Sequence, residues 1–247
     1  MASQKEKIKI KVKSSPFKLS VIVPVFNEAP TIRQILNRLV GVKEVAEVVV
    51  VDDGSTDNSV LEIKKLLKKS TVAKRKIRLV SKPNGGKGSA IVHGLSLVTG
   101  THVLIQDADL EYSPEDIPAL LLPIKRQLVQ VVFGSRFLGP HSNLLFWHRV
   151  GNSFLNFMVN LLYDTTLSDM ETCYKVLPTQ LFRDLKIKSQ KFDIEPEITC
   201  KVLKRGIKIF EVPISYLGRD FSEGKKITWK DGLSAIGVIL QLRFLYE

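Results

Sequence analysis

The segment LSVIVPVFNE at residues 19–28 decides the fold class. Its first eight residues form an apolar run, which is typical of a strand buried on both faces of a sheet. A second such run is VVVV at residues 48–51. Between the two runs, residues 32–39 place four aliphatic side chains at the spacing of one helical face. The segment therefore predicts a β-α-β unit with two parallel strands.

The same alternation of short apolar strands and helical segments continues toward the C terminus. The predicted strands lie at residues 19–26, 48–51, 77–80, 102–105 and 129–133. Alternating strands and helices predict an α/β fold with a mostly parallel central sheet flanked by helices. Right-handed crossovers then place the strand C-terminal ends along one edge, where ligands bind in such sheets.

Chain length favours one main domain, because 247 residues can bury a substantial core. We expect this domain at residues 19–229. Residues 1–18 contain the alternating run KIKIKVK and are predicted to form a basic arm or an added edge strand, which could also pair between subunits. Residues 230–247 are predicted to form an apolar or amphipathic helix that is too short to span a bilayer.

The net charge of +12 favours anionic partners, namely nucleic acid, anionic lipid or phosphorylated small molecules. The sequence has no helix-turn-helix, zinc-finger or RNA-binding aromatic signature, so a nucleic-acid partner is not expected. The lysine-rich start lacks the apolar core of a signal peptide, and no apolar run reaches about 20 residues. We expect a cytoplasmic protein whose membrane contact is peripheral. Cys173 and Cys200 indicate neither a disulfide framework nor a thiolate metal site.

A predicted helix at residues 144–163 carries a polar stripe on an otherwise apolar surface. Arg149, Asn152, Asn156 and Asn160 recur at steps of three or four residues. One interpretation is a core helix with a solvated polar face, and the other is a helix that lies at a lipid interface.

Four acidic or glycine-rich clusters follow the first four predicted strands. They are PVFNE at 24–28, DDGSTD at 52–57, NGGKG at 84–88 and QDADLE at 106–111. Because the strand ends share one edge of the sheet, these loops are expected to converge into a single site.

Asp107 and Asp109 are separated by one residue at a strand end, so both carboxylates can face one hard cation, Mg²⁺ or Mn²⁺. Such an ion can bridge two phosphates of a donor. The adjacent carboxylates Asp52 and Asp53 repel each other unless a partner donates hydrogen bonds, as a nucleoside would. Lys87 begins a helix after two glycines, where backbone N–H groups can meet an anion.

These motifs, with GSR at 134–136, closely resemble glycosyltransferase family 2 in order and spacing. The resemblance runs from about residue 19 to residue 229 and is strongest to the dolichyl-phosphate and polyprenyl-phosphate sugar synthases. It implies a GT-A fold and a metal-dependent enzyme that transfers a sugar, with inversion, from a nucleotide diphosphate donor of the UDP-glucose or GDP-mannose type. It implies a polyprenyl or dolichyl phosphate acceptor at the cytosolic face of a membrane.

The resemblance also implies residue roles. The nucleotide-sugar-binding residues would be Pro24, Phe26, Glu28, Asp52, Asp53, Lys87, Asp107, Ala108, Arg219 and Lys225. The metal would be held by Asp107, Asp109 and Glu111, and the acceptor phosphate by Arg136, Arg149 and Ser153. In the late RDFSEGKK element, Gly224 stands where these synthases usually have serine.

Asp169 and Glu171 keep an alternative open, a transferase that acts on a sugar or protein hydroxyl. A hydroxyl acceptor needs a general base, which either carboxylate could provide, whereas an anionic phosphate acceptor needs none. With Asp109, Arg136 and Arg149, these two residues complete the set of expected catalytic residues. A further alternative is a non-catalytic module that binds nucleotide sugars or nucleic acid through its basic surface.

Overall fold

The computed structural model describes residues 17–142, 145–218 and 229–245. Seven strands form one sheet: β1 (Leu19–Val25), β2 (Val45–Asp52), β3 (Ile77–Ser81), β4 (His102–Ile105), β5 (Val131–Ser135), β6 (Lys175–Pro178) and β7 (Ile209–Pro213). The α-helices of the described residues are α1 (Ile32–Gly41), α2 (Ser59–Lys69), α3 (Thr71–Lys76), α4 (Lys87–Leu97), α5 (Ile117–Lys125), α6 (Phe146–Tyr163), α7 (Thr179–Asp184), α8 (Ile194–Lys204) and α9 (Trp229–Phe244).

The strand order is β3-β2-β1-β4-β6-β5-β7. Strand β6 is antiparallel to both of its neighbours, and the other pairs are parallel. The predicted α/β class with a mostly parallel sheet is thus confirmed. Strands β6 and β7 were not predicted from the sequence.

Both faces of the sheet are covered, which explains the continuous apolar runs. Successive residues of a strand point to opposite faces. Accordingly, Val21 and Val23 pack with α1 and α5 on one face, whereas Ile22 packs with α4 and α8 on the other. All three side chains are fully buried.

The register of the parallel strands aligns the loops that carry the motifs. Val25 pairs with Asp52, and Asp52 pairs with Ser81, so β1, β2 and β3 end at the same level. The segments after β1, β2, β3 and β4 therefore leave the sheet along one edge, as predicted.

On helix α6, the asparagines Asn156 and Asn160 of the polar stripe face the protein rather than solvent. The Asn156 side chain donates to Ser168 O at 2.6 Å and accepts from Met170 N at 2.7 Å. Asn160 bonds both backbone groups of Leu167. The interpretation of a solvated polar face is therefore wrong, because these amides bind the loop before β6. The exposed face of α6 is instead apolar: Phe146, Trp147, Val150, Phe154, Phe157 and Leu161.

Helix α9 packs on α6 and α8 through Ala235, Ile239 and Leu242. Within the described ranges, no helix has the length and apolar character needed to cross a membrane. The proposed N-terminal arm lies almost entirely outside the described residues, which begin at Phe17.

Candidate active site

A cavity of about 810 Å³ opens at the C-terminal edge of the sheet. Most of the predicted site residues line it: Pro24, Phe26, Glu28, Asp53, Lys87, Asp107, Ala108, Asp109, Glu111, Arg136, Arg149 and Glu171. Asp52, Ser153 and Asp169 lie outside its lining. Arg219 and Lys225 fall outside the described residues.

Asp53 is paired within the protein. Its Oδ1 lies 2.5 Å from Lys82 Nζ and accepts from Gly85 N at 3.0 Å, and its Oδ2 accepts from Gly86 N at 2.7 Å. The glycine-loop amides that were expected to meet a ligand anion therefore bind Asp53. Gly86 has a φ of +93°, and a Cβ there would lie 2.5 Å from Gln190 O, so the loop requires glycine.

Asp52 closes its own loop. It is 4% exposed, and its Oδ1 accepts from Ser55 N at 3.1 Å. Next to it, Asn27 Oδ1 accepts from Thr56 N at 2.8 Å and ties the first loop to the second. The Asp52 side chain does not line the cavity, so its predicted contact with a nucleoside stays a prediction.

Lys87 lies between two carboxylates. Its Nζ is 2.8 Å from Asp107 Oδ1 and 2.8 Å from Glu195 Oε1. Burial opposes the lysine charge, but the two carboxylates raise the pKa of Lys87 well above its usual value. Lys87 is therefore a fixed cation at the end of β4. Glu195 was not predicted, although the segment FDIEPE at residues 192–197 contains it.

Asp107 and Asp109 present two hard oxygen donors at the end of β4. Asp109 Oδ1 accepts from Glu111 N at 3.1 Å, and Glu111 Oε2 accepts from the Tyr216 hydroxyl at 2.9 Å. In the part of the chain that the structure describes, no three His, Cys, Asp or Glu side chains converge as a metal site. The three carboxylates are thus not preassembled, and the metal-binding role of Glu111 stays a prediction. Two carboxylates still suit Mg²⁺, which commonly takes its other ligands from substrate phosphates and water.

Arg136 and Asp169 form a buried ion pair. Arg136 Nε and Nη2 donate to the two carboxylate oxygens at 2.7 Å each, and Arg136 N donates to Oδ2 at 2.9 Å. Although burial disfavours its charge, Asp169 raises the pKa of Arg136 well above the usual range. Asp169 is fully buried. It therefore holds Arg136 in place and cannot reach an acceptor hydroxyl.

Glu171 lines the cavity beside this pair. Burial and the nearby Glu195 carboxylate raise the pKa of Glu171 to about 7. Lys175 is fully buried, and its ammonium donates to Met170 O at 2.8 Å and to Thr172 O. Burial lowers the pKa of Lys175 to about 8. Of the two predicted bases, only Glu171 reaches the cavity.

Arg149 faces the other end of the cavity from α6. Its guanidinium carbon lies 5.1 Å from the ring centre of Phe137, and its Nη1 lies 3.5 Å from His141 Nε2. The adjacent lining includes Trp147, which is 77% exposed, and Phe154, which is 51% exposed. Ser153 is exposed outside this lining. A cationic group thus stands at the boundary between the cavity and the apolar face of α6.

Comparison with known proteins agrees with this arrangement. A model of glycosyl transferase family 2 matches residues 20–186. A dodecaprenyl-phosphate galacturonate synthase of Rhizobium johnstonii is 23% identical over 233 residues, which cover 92% of this chain and 68% of that protein. An uncharacterized protein of Methanocaldococcus jannaschii is 28% identical over 204 residues, which cover 78% of this chain and 86% of that protein.

Among solved structures, the fold resembles glucosyl-3-phosphoglycerate synthase of Mycobacterium tuberculosis. The complex with Mn²⁺, UDP and glucosyl-3-phosphoglycerate superposes with a TM-score of 0.71 at 18% identity and covers 92% of this chain and 80% of that one. The sheet, the cavity and these matches define a glycosyltransferase with a GT-A fold. The chain belongs to glycosyl transferase family 2, and a polyprenyl-phosphate sugar synthase is among its relatives.

Proposed function

We propose that this enzyme transfers a sugar from a nucleotide diphosphate donor to a polyprenyl or dolichyl phosphate at the cytosolic face of a membrane. The observation that carries the proposal is the composition of the cavity. Carboxylates Asp107 and Asp109 lie on one wall, and Arg149 lies where the cavity meets the exposed apolar face of α6. A donor diphosphate needs carboxylates that can hold its divalent metal ion. A lipid phosphate needs a cation that lies beside an apolar surface.

The donor binds along the loops after β1 to β4. Pro24, Phe26 and Glu28 line the nucleoside end together with Asp53. Lys87 supplies a positive charge for the diphosphate, because it is held in the cavity wall by Asp107 and Glu195. Related structures support this part of the proposal, since glucosyl-3-phosphoglycerate synthase was crystallised with Mn²⁺ and UDP-glucose.

Asp107 and Asp109 would hold Mg²⁺ or Mn²⁺. When bound, the ion neutralises the negative charge that develops on the leaving diphosphate. The protein itself orients the donor so that the acceptor attacks the anomeric carbon from the opposite side, which inverts its configuration. Positioning and fixed charges then supply most of the rate enhancement.

The acceptor phosphate is proposed to bind Arg149. A phosphate is already a nucleophilic anion at neutral pH, so it needs no general base. Arg136 also lines the cavity and adds positive potential, but the guanidinium edge formed by Nε and Nη2 is occupied by Asp169. The exposed side chains of α6 would contact the isoprenoid chain or the lipid surface. The relative from Rhizobium johnstonii, named for dodecaprenyl phosphate, supports this choice of acceptor.

A hydroxyl acceptor is the second candidate. The favouring observation is Glu171, whose carboxylate lines the cavity and has a pKa raised to about 7, a suitable value for a general base.

The test compares two acceptors that differ only in the phosphate. Labelled UDP-glucose and GDP-mannose are incubated with polyprenyl phosphate or the corresponding polyprenol, with Mn²⁺ or with EDTA. We expect metal-dependent transfer to the phosphate alone. Arg149→Ala should lower the rate at limiting acceptor at least tenfold, whereas Glu171→Gln should retain acceptor affinity. Transfer to the polyprenol that Glu171→Gln abolishes and Arg149→Ala retains would establish the hydroxyl mechanism instead.

A further inference from the structure

Two glutamates of the cavity have buried oxygens without hydrogen bonds. Across the described residues, the buried side-chain nitrogen and oxygen atoms that lack a hydrogen-bond partner are Glu171 Oε1 and both carboxylate oxygens of Glu195. Glu195 is 3% exposed, and its Oε1 lies 2.8 Å from Lys87 Nζ in an ion pair, so the need for a donor is greatest at Oε2. Buried acceptors are normally satisfied, so these atoms indicate a ligand that donates hydrogen bonds.

The position of Glu195 indicates which part of a donor would reach it. Lys87 Nζ lies 2.8 Å from both Asp107 and Glu195. The Lys87 ammonium therefore lies between Glu195 and Asp107, a carboxylate proposed to hold the metal ion of the donor diphosphate. In a nucleotide sugar, the ring is bonded directly to the second phosphate. A diphosphate at the end of β4 therefore brings ring hydroxyls next to Glu195 and Glu171, which both line the same cavity.

Three cationic side chains around this pocket already have partners within the protein. Lys175 donates to the carbonyls of Met170 and Thr172, and Arg136 is paired with Asp169. Lys87 is shared between two carboxylates. Among the described residues, Glu171 and Glu195 are the side chains whose buried oxygens lack a hydrogen-bond donor, and an ionised carboxylate accepts hydrogen bonds but donates none.

We propose that Glu171 and Glu195 form the subsite for the donor sugar ring and select a hexose with uncharged hydroxyl groups over a uronic acid. The inference rests on the proposed function, because it assumes a nucleotide-sugar donor. Ring hydroxyls would donate to the open carboxylate oxygens. A uronic acid would place another carboxylate beside the charge of Glu195, and like charges at hydrogen-bonding distance repel strongly in a buried site.

Calorimetry with Mn²⁺ tests the subsite by separating the sugar from the nucleotide. The probes are UDP, UDP-glucose and UDP-glucuronic acid, with GDP, GDP-mannose and GDP-mannuronic acid as the guanosine set. For the nucleotide that binds, the wild type should bind the neutral sugar nucleotide at least tenfold more tightly than the uronic acid form.

Glu195→Gln should reduce the affinity ratio of the neutral sugar nucleotide to its nucleoside diphosphate about tenfold or more, the usual effect of losing hydrogen bonds to a charged acceptor. It should also reduce the difference in affinity between the neutral sugar nucleotide and the uronic acid form. Glu171→Gln provides an independent second variant if Glu195→Gln folds poorly. Glu44→Gln is the matched control, because Glu44 forms a surface ion pair with Lys125 away from the cavity.

The outcomes are distinguishable from a failure of the proposed function. If neither nucleotide nor sugar nucleotide binds the wild type, the proposed function fails and this inference fails with it. If the wild type binds a sugar nucleotide but both glutamine variants keep its affinity ratio, the sugar-subsite inference alone is overturned. A wild type that prefers the uronic acid form would also overturn it.

Discussion

The two walls of the cavity use buried charge in different ways. On the N-terminal wall, Asp107 and Asp109 both line the cavity at the end of β4, where Asp107 accepts from Lys87 and Asp109 accepts from Glu111 N. On the C-terminal wall, Arg136 lines the cavity and forms a bidentate pair with Asp169, which is completely buried outside the lining. The first set is proposed to bind a ligand, whereas the second is paired within the protein.

This difference has a thermodynamic consequence. Carboxylates that face a ligand repel each other in its absence, so removing one should cost activity but little stability. A buried ion pair behaves in the opposite way, because removing one partner leaves the other charge uncompensated. Substitutions that remove a single charge from each wall therefore test whether the two walls differ as described.

The largest effect is expected from Asp109→Asn on the N-terminal wall. Asparagine keeps the shape and can still accept from Glu111 N, but it removes a charge proposed to hold the metal. We expect the transfer rate to fall at least a thousandfold, since a bound metal ion stabilises the charge that develops in the transition state by several kcal/mol. Binding of Mn²⁺ in the presence of the donor nucleotide, measured by electron paramagnetic resonance, should weaken as well.

The melting temperature of Asp109→Asn should stay within about 3 °C of the wild type, which corresponds to less than about 1 kcal/mol for a domain of this size. An active variant that still requires metal would contradict the assignment of Asp109. A variant that loses both activity and several kcal/mol of stability would show that the N-terminal wall is not specialised for a ligand.

Asp169→Asn on the C-terminal wall is expected to have the next largest effect. Its side chain can accept only one of the guanidinium hydrogen bonds well, and Arg136 stays buried with its charge uncompensated. We expect a loss of about 3 kcal/mol in the free energy of unfolding, measured by urea denaturation. Glu115→Gln, which breaks the more exposed pair with Arg38, is the control and should cost less than about 1 kcal/mol. If both variants lost the same free energy of unfolding, the buried Arg136–Asp169 pair would contribute no more to stability than the exposed Arg38–Glu115 pair.

The N-terminal wall was largely predictable from the sequence, and the reason is local. Strand β1 and the loops after β2 and β4 are contiguous segments whose apolar runs and acidic ends can be recognised without knowledge of the fold. Parallel pairing then brings them together. What the sequence could not show was that Asp53 is satisfied by Lys82 and the glycine loop, because this depends on a close approach between β2 and the segment after β3.

The C-terminal wall was less predictable because its side chains are buried by contacts distant in sequence. Lys175 lies in the four-residue strand β6 and would be expected on a surface, yet it is fully buried. Glu195 lies in the first turn of α8, where acidic residues are common, and only the contact with Lys87 places it in the cavity. The asparagines of α6 have the spacing of a solvated stripe, but they bind the loop before β6.

The smallest expected effect concerns the outer face of α6. Phe157 is 61% exposed, so Phe157→Gln should change the free energy of unfolding by less than about 0.5 kcal/mol. Binding to vesicles that contain anionic lipid and polyprenyl phosphate should weaken about threefold to tenfold, part of the 1.5–3 kcal/mol for burying a phenylalanine. Leu128→Gln is the control, since Leu128 is 65% exposed but lies outside the cavity lining and α6. If both variants lose vesicle binding equally, the apolar face of α6 is not the lipid-contacting surface, and Arg149 would bind the acceptor through its phosphate alone.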